Sequence, residues 1–198
     1  MSCGRLLMRR SREETAETRR NIVKTAGIRF RQNGICETGL ADLMESAGLT
    51  HGGFYRHFDS KDQLVSEASA GAFAAKIGEM QASASTARGR KSLEAIVNDY
   101  LSPEHRKDRA HGCPLAALGS ELARSDKSTR SAATKGILKM IAEVAERMKD
   151  PGTERAKKSA SVFLATMLGA LTISRIVADP KVSNEILAAA RAKLSSWE

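Results

Sequence analysis

The stretch TGLADLMESAGLTHGGFYRHFDSK, residues 38–61, decides how the chain is read. Thr38 can cap a short second helix over 39–47, in which Leu40, Leu43, Met44 and Ala47 recur at three and four and form an inward stripe. Gly48 closes that helix and supplies a left-handed turn residue within Ala47-Gly48-Leu49. Thr50 then stands at the N-cap of a very short polar segment over 51–58, and Ser60-Lys61-Asp62-Gln63 opens a fourth helix with a capping box.

Upstream, Ser11 to Glu14 reads as another capping box. Ile22, Val23, Ala26 and Phe30 follow at helical spacing until Asn33-Gly34 stops a first helix of about 20 residues. Downstream, the fourth helix runs through Leu64, Ala68, Ala72 and Ile77 toward residue 87, where Arg88-Gly89-Arg90 breaks the pattern. Five further helices are expected, over 92–101, 114–123, 128–149, 153–178 and 183–195, separated by Pro or Asp-Pro-Gly punctuation. The expected fold is all-α. It comprises a basic arm over 1–12, a three-helix unit over 13–65 with its fourth helix continuing to about 87, and a helical domain over 88–198.

Composition agrees with this reading. With 198 residues there is room for one or two small domains, and 41% hydrophobic content with only 4% aromatics suits an alanine-rich helical core. The net charge is +9, of which +4 falls in the first 61 residues and +5 in the remaining 137, so the N-terminal third is about twice as basic per residue. Arg5, Arg9, Arg10 and Arg12 precede the first acid, Glu13.

Cys3, Cys36 and Cys113 are odd in number and lie far apart, without zinc-ligand spacing, which points to a reducing cytoplasm and no structural metal. His51 and His57 are six residues apart, about 240° around a helix, and cannot share a metal from one face. No signal sequence is expected in MSCGRLLMRRSREE. Residues 159–178 are the most apolar run but carry Arg175 and five Ser or Thr, so a buried helix is expected and not a membrane span.

Two short helices joined by Ala47-Gly48-Leu49 have the layout of a helix-turn-helix. The second is too rich in glycine and polar residues to have been chosen for helical stability. Bare glycine backbone permits close approach of a phosphate, and a helix N-terminus offers free N–H groups. Tyr55, His57 and Lys61 can donate to phosphates, and Arg56 can reach a base edge. That inventory fits double-stranded DNA.

On these residues the chain resembles the DNA-binding domain of the TetR family of bacterial transcriptional repressors. The matching elements are Ile22-Val23, Ala26, Phe30, Gly34, Thr38, Ala47-Gly48-Leu49-Thr50, Phe54-Tyr55-Arg56-His57-Phe58, Ser60-Lys61 and Leu64. The resemblance implies DNA contacts by Thr38, Thr50, His51, Gly52, Gly53, Tyr55, His57 and Lys61, with Arg56 where the family varies. Gly39 stands where the family has a small hydroxyl residue, and the pair Gly52-Gly53 removes side-chain readout. Specificity is therefore expected to lean on His51, Arg56 and DNA shape.

The resemblance further implies a homodimeric repressor of a palindromic operator, released by a small molecule bound in its C-terminal domain. Ile96, Tyr100, Phe163 and Met167, with Cys113 and Met140, are the candidate pocket lining, and Tyr100 is the candidate polar anchor. Ala160, Leu164, Leu168 and Leu171, on a helix apolar all round, are the candidate dimer contacts. No cofactor is expected. Two other readings are a thiol enzyme using Cys113 with His111, which lacks an identifiable orienting group, and a helical adaptor, which leaves Tyr55, Arg56 and His57 unexplained.

Overall fold

A computed structural model describes residues 3–85 and 87–197, and side chains from Arg12 onward. Among the described residues the chain is helical throughout, with no strand. The first helix, α1 (Cys3–Asn33), is longer than expected: Ser11 lies inside it, not at its N-cap. The side chains of Arg5, Arg9 and Arg10 fall outside the described set, so the basic-arm reading is not addressed there. Gly34, at φ +91, ends α1.

Next come α2 (Leu40–Ser46), a 3₁₀ segment (His51–Arg56) and α3 (Lys61–Ala84). Gly48 takes φ +75, the left-handed value the turn requires. At α3 the Ser60 hydroxyl accepts from Gln63 N–H, and the Gln63 side chain accepts from Asp59 N–H. The Ser60 half of the capping box is thus made, while the Gln63 side chain reaches one residue beyond the cap. At 24 residues, α3 is a rod roughly 36 Å long.

The remaining helices are α4 (Arg90–Tyr100), α5 (Pro103–Lys107), α6 (Pro114–Arg124), α7 (Lys127–Ala145), α8 (Glu154–Ile176) and α9 (Pro180–Ser195). The short α5 was not foreseen. It is capped by the Ser102 hydroxyl, which accepts from His105 N–H, with Pro103 at the first helical position. Similarly, Asp126, Thr153 and Asp179 cap α7, α8 and α9. The α7 helix stops four residues early, and a turn containing Asp150 (φ +58) and Gly152 (φ +81) follows.

One apolar core runs from Ile22, Phe30 and Phe54 through Phe73, Ile96 and Met140 to Phe163 and Leu194. The rod α3 belongs to both halves, since it packs on α1 near its start and on α7 along its length. That seam is very tight at Gly136, where a Cβ would sit 2.2 Å from Phe73 Cγ. By length and apolarity α8 could cross a membrane, yet Phe163, Leu164, Met167 and Leu171 on it are packed inside this chain.

The expected dimer contacts need correction for the same reason. Ala160, Leu164 and Leu171 are at most 4% exposed, which leaves them no surface for a second copy, and Leu168 is only partly exposed. A helix apolar all round gives no sign of which side faces inward. The apolar surface left open on α8 and α9 is Val162, Ile173, Ile176 and Val182.

Candidate nucleic-acid interface

The three-helix unit is pinned from α1. Arg19 makes a bidentate pair with Glu67 of α3, at 2.5 and 2.6 Å, and donates from Nε to the His57 carbonyl at 3.2 Å. Its guanidinium also lies 4.5 Å from the Phe58 ring centroid, so one side chain ties α1, the end of the 3₁₀ segment and α3 together. The hydrogen bonds to Glu67 raise the Arg19 pKa further. Two more α1 side chains hold the far end of α2, with Asn21 donating to the Ala47 carbonyl and Arg29 to the Ser46 hydroxyl. These anchors are 17 to 48 residues from their partners, a separation no helical spacing reports.

This frame presents the 3₁₀ segment. Its inner side is apolar: Phe54 and Phe58 are buried and stack at 5.5 Å. Its outer side carries His51, Gly52, Tyr55 and Arg56, all exposed, with Tyr55 65% accessible and edge-on to Phe54. A Cβ at Gly52 would meet nothing within 4 Å, and one at Gly53 would make only ordinary contacts, at 3.8 Å, with Met44 and Thr50. Nothing inside the chain demands glycine at either place. Two consecutive glycines do lower the segment's tendency to form a regular α-helix.

Other expected contact residues prove partly occupied. Thr38 is 4% exposed and its hydroxyl donates to the Gly34 carbonyl at 2.6 Å, which closes the end of α1. It is therefore neither the cap of α2 nor a free donor to phosphate; Gly39 stands at that N-cap, without a side-chain bond. Thr50 is exposed at the N-cap of the 3₁₀ segment, also without a side-chain cap bond. His57 is half-buried, with Nδ1 enclosed and unpartnered. Lys61 is half-buried and donates from Nζ to the Ile35 carbonyl at 2.8 Å, which leaves two of its three N–H groups for an outside acceptor.

The α1–α2 turn is also gripped from the C-terminal half. Glu121 of α6 accepts from Ile35 N–H at 2.8 Å and from Cys36 N–H at 3.1 Å, and Arg31 donates to the Ala110 carbonyl at 2.6 Å. Lys61 and Glu121 thus hold opposite groups of one turn. Sequence reasoning missed Glu121, an ordinary polar position on an amphipathic helix.

The candidate effector residues Ile96, Tyr100, Cys113, Met140, Phe163 and Met167 are at most 1% exposed and belong to the core. None of the five cavities described among these residues is lined by them, so the expected lining does not coincide with open space. Tyr100 keeps a polar peculiarity, because its buried hydroxyl has no hydrogen-bond partner. Burial, then Cys113, push its phenol well above its ordinary range.

The paired thiol and imidazole do not materialise. His111 is exposed and held by Asp108 at 3.0 Å, whereas buried Cys113 gives its backbone N–H to Nε2 of His105. His105 in turn donates from Nδ1 to the Tyr100 carbonyl at 2.6 Å. Burial, with Lys76 nearby, lowers the His105 pKa to about 4. No group of three His, Cys, Asp or Glu near enough to hold a metal occurs among the described residues.

Comparison with known proteins places this geometry. Residues 20–68 match the family described as bacterial regulatory proteins, tetR family, and residues 90–192, more than half the chain, match the LmrA/YxaF-like transcriptional regulator C-terminal domain. The HTH-type transcriptional regulator TtgR of Pseudomonas putida is 44% identical over 59 residues, which span 30% of this chain and 28% of TtgR. An uncharacterised HTH-type regulator of Mycobacterium tuberculosis is 26% identical over 175 residues, covering 81% of this chain and 86% of that protein. Among solved structures, reduced Escherichia coli NemR superposes with a TM-score of 0.77 at 24% identity, over 90% of this chain and 95% of NemR. A TetR-family regulator from Cytophaga hutchinsonii gives 0.76 at 21% identity, over 93% and 96%. At those identities the two superpositions establish the fold.

Proposed function

The chain belongs to the TetR family of bacterial regulatory proteins, and from that premise we propose that it is a ligand-responsive repressor, without catalytic activity, that acts in the cytoplasm. As a homodimer it binds a palindromic double-stranded operator through residues 50–57 and Lys61 and leaves it when a small molecule binds the C-terminal helices. The observation that carries this reading is the 3₁₀ segment, whose glycines answer to no contact within the chain and whose His51, Tyr55 and Arg56 face outward. A DNA backbone supplies the missing reason for the glycines, and its phosphates suit the donors beside them.

Geometry supports dimerisation. One such segment reads too few base pairs, and a two-fold pair reads two half-sites about a helical turn or more apart. The exposed Val162, Ile173, Ile176 and Val182 offer the apolar surface for it. The α3 rod and the Glu121 grip on the α1–α2 turn supply two mechanical routes from the C-terminal helices to the reading head.

The test is selection of bound sequences from a random duplex library, followed by titration of the winning duplex. A palindromic sequence should emerge, and Tyr55→Ala with Arg56→Ala should weaken binding at least about tenfold. Each phosphate contact removed should flatten the slope of log affinity against log salt by roughly one. Selection that enriches no sequence, or a double variant that binds like wild type, overturns the reading.

A further inference from the structure

A cavity of about 530 Å³ lies at the C-terminal end of the chain, away from the reading head, between the start of α4, the turn after α7, the first turns of α8 and Trp197. From its composition we infer that it is the effector site and that the effector is an apolar monocarboxylate. The inference rests on the repressor reading for its regulatory consequence, though not for binding itself.

Three independent observations converge there. Trp197 lines the cavity, and its Nε1–H is buried with no acceptor. A buried donor without a partner is rare and calls for one. Next, four cations surround the space against one acid, Asp150. Arg90 is engaged by Glu94 and the Ser195 carbonyl, and Arg147 by Glu143, but Lys149 and Arg155 have neither an ion pair nor a hydrogen bond among the described residues. Finally, Asp150 at φ +58 and Gly152 at φ +81 turn the chain sharply around Pro151, which brings Lys149 and Arg155 to the rim of one cavity.

The ligand class follows from these parts. Leu93, Met148 and Ala156, with the indole of Trp197, give an apolar floor that suits a compact hydrocarbon body. The free ammonium and guanidinium of Lys149 and Arg155 call for a single anionic head, and the indole N–H offers it a third donor. Both cations are exposed, so a neutral molecule would draw nothing from them, whereas an anionic head gains their attraction, and a polyanion would place surplus charge against the apolar floor.

The cavity is also wired to the rod. Arg147, in its wall, donates from Nε to the Ser92 hydroxyl at 3.2 Å, and that hydroxyl donates to the Ala84 carbonyl at the last turn of α3. Lys61 at the opposite end of α3 holds the turn before α2. A ligand that prefers one position of Arg147 therefore biases the angle at which the rod presents the reading head.

Trp197 is the only tryptophan, so its emission reports on this cavity. The full-length protein is titrated with benzoate, 4-phenylbutyrate and decanoate, each beside its neutral primary amide, with tryptophan-selective excitation. At least one acid should change the emission saturably, with its amide about tenfold weaker or worse. Arg155→Gln and Lys149→Gln should each weaken that acid about tenfold while leaving the helical circular dichroism unchanged. Trp197→Phe, followed by calorimetry, should bind it several-fold less tightly. Failure of all three acids to saturate, parity between acid and amide, or wild-type binding by both charge variants overturns the site. In a second arm, saturating acid should lower operator affinity in wild type and not in Arg155→Gln, and an unchanged affinity in wild type overturns the effector role. Failure of the ligand-free protein to bind DNA would strike the repressor reading and leave the fluorescence arm intact.

Discussion

Gly52 in the reading head and Gly136 in the α3–α7 seam are the same residue held for opposite reasons. At Gly136 an added methyl would lie 2.2 to 2.7 Å from three atoms of Phe73, while at Gly52 it would touch nothing within 4 Å. The seam is a close-packed interior in which every atom is already opposed. The reading head has bare backbone facing outward, and it gives up helical propensity without gaining packing. A glycine required by the chain's own interior is part of how the fold stands; the one at 52, exposed beside Tyr55 and Arg56, leaves room for a partner that arrives from outside.

Identical substitutions at the two positions should separate these reasons. Gly136→Val should cost at least about 3 kcal/mol, because α7 must move off Phe73, and lower the melting temperature by roughly 6–12 °C. Melting followed by circular dichroism checks it; a shift under about 2 °C would mean the seam yields easily.

The interior also carries a titration. His105 is neutral in the fold, where it accepts from Cys113 N–H, with Lys76 and Arg175 disfavouring its charge and Asp99 favouring it. Its pKa of about 4 lies below the unfolded value of 6.5, so its contribution is whole above pH 6.5, shrinks as the pH falls, and is gone just below 4. The expected loss is up to about 3 kcal/mol. Denaturant unfolding between pH 7 and 4 should show a slope that His105→Gln flattens; equal slopes would place the titration elsewhere.

Gly52→Val should do the reverse of its counterpart in the seam. Stability should stay within about 0.5 kcal/mol of wild type. Operator affinity should fall about tenfold, equivalent to about 1.4 kcal/mol, because the side chain keeps the phosphate backbone at a distance. Anisotropy titration reads the affinity, and undiminished binding would remove the external reason for this glycine.

The same contrast explains what could be read from the sequence. Local chemistry was legible: the Ser60 cap of α3, the left-handed Gly48, the outward Tyr55 and the inward Phe54 and Phe58 all follow from spacing and residue type within a few positions. Contacts formed at long separation were not. Arg19 with Glu67, Lys61 with the Ile35 carbonyl and Thr38 turned back on Gly34 depend on how α1, α2 and α3 cross. The α8 helix misled for a related reason, since apolar residues all round it do not say which side meets α7 and α9 and which stays open.

The smallest expected effect lies at the junction of the two regions. Glu121→Gln keeps the shape of the side chain and one acceptor oxygen but removes the charge that strengthens its bonds to Ile35 and Cys36. Cys36 is exposed and Ile35 partly so, and water can replace either bond, so global stability should change by no more than about 1 kcal/mol. The local consequence should be larger than the global one. Amide hydrogen exchange at Ile35 and Cys36 reports opening of the turn itself and should accelerate several-fold, while the amides of α7 around Gly136 keep their wild-type rates. Equal acceleration in both places would mean that Glu121 supports the whole fold, and the turn would lose its standing as a separately adjustable link between the C-terminal helices and the reading head.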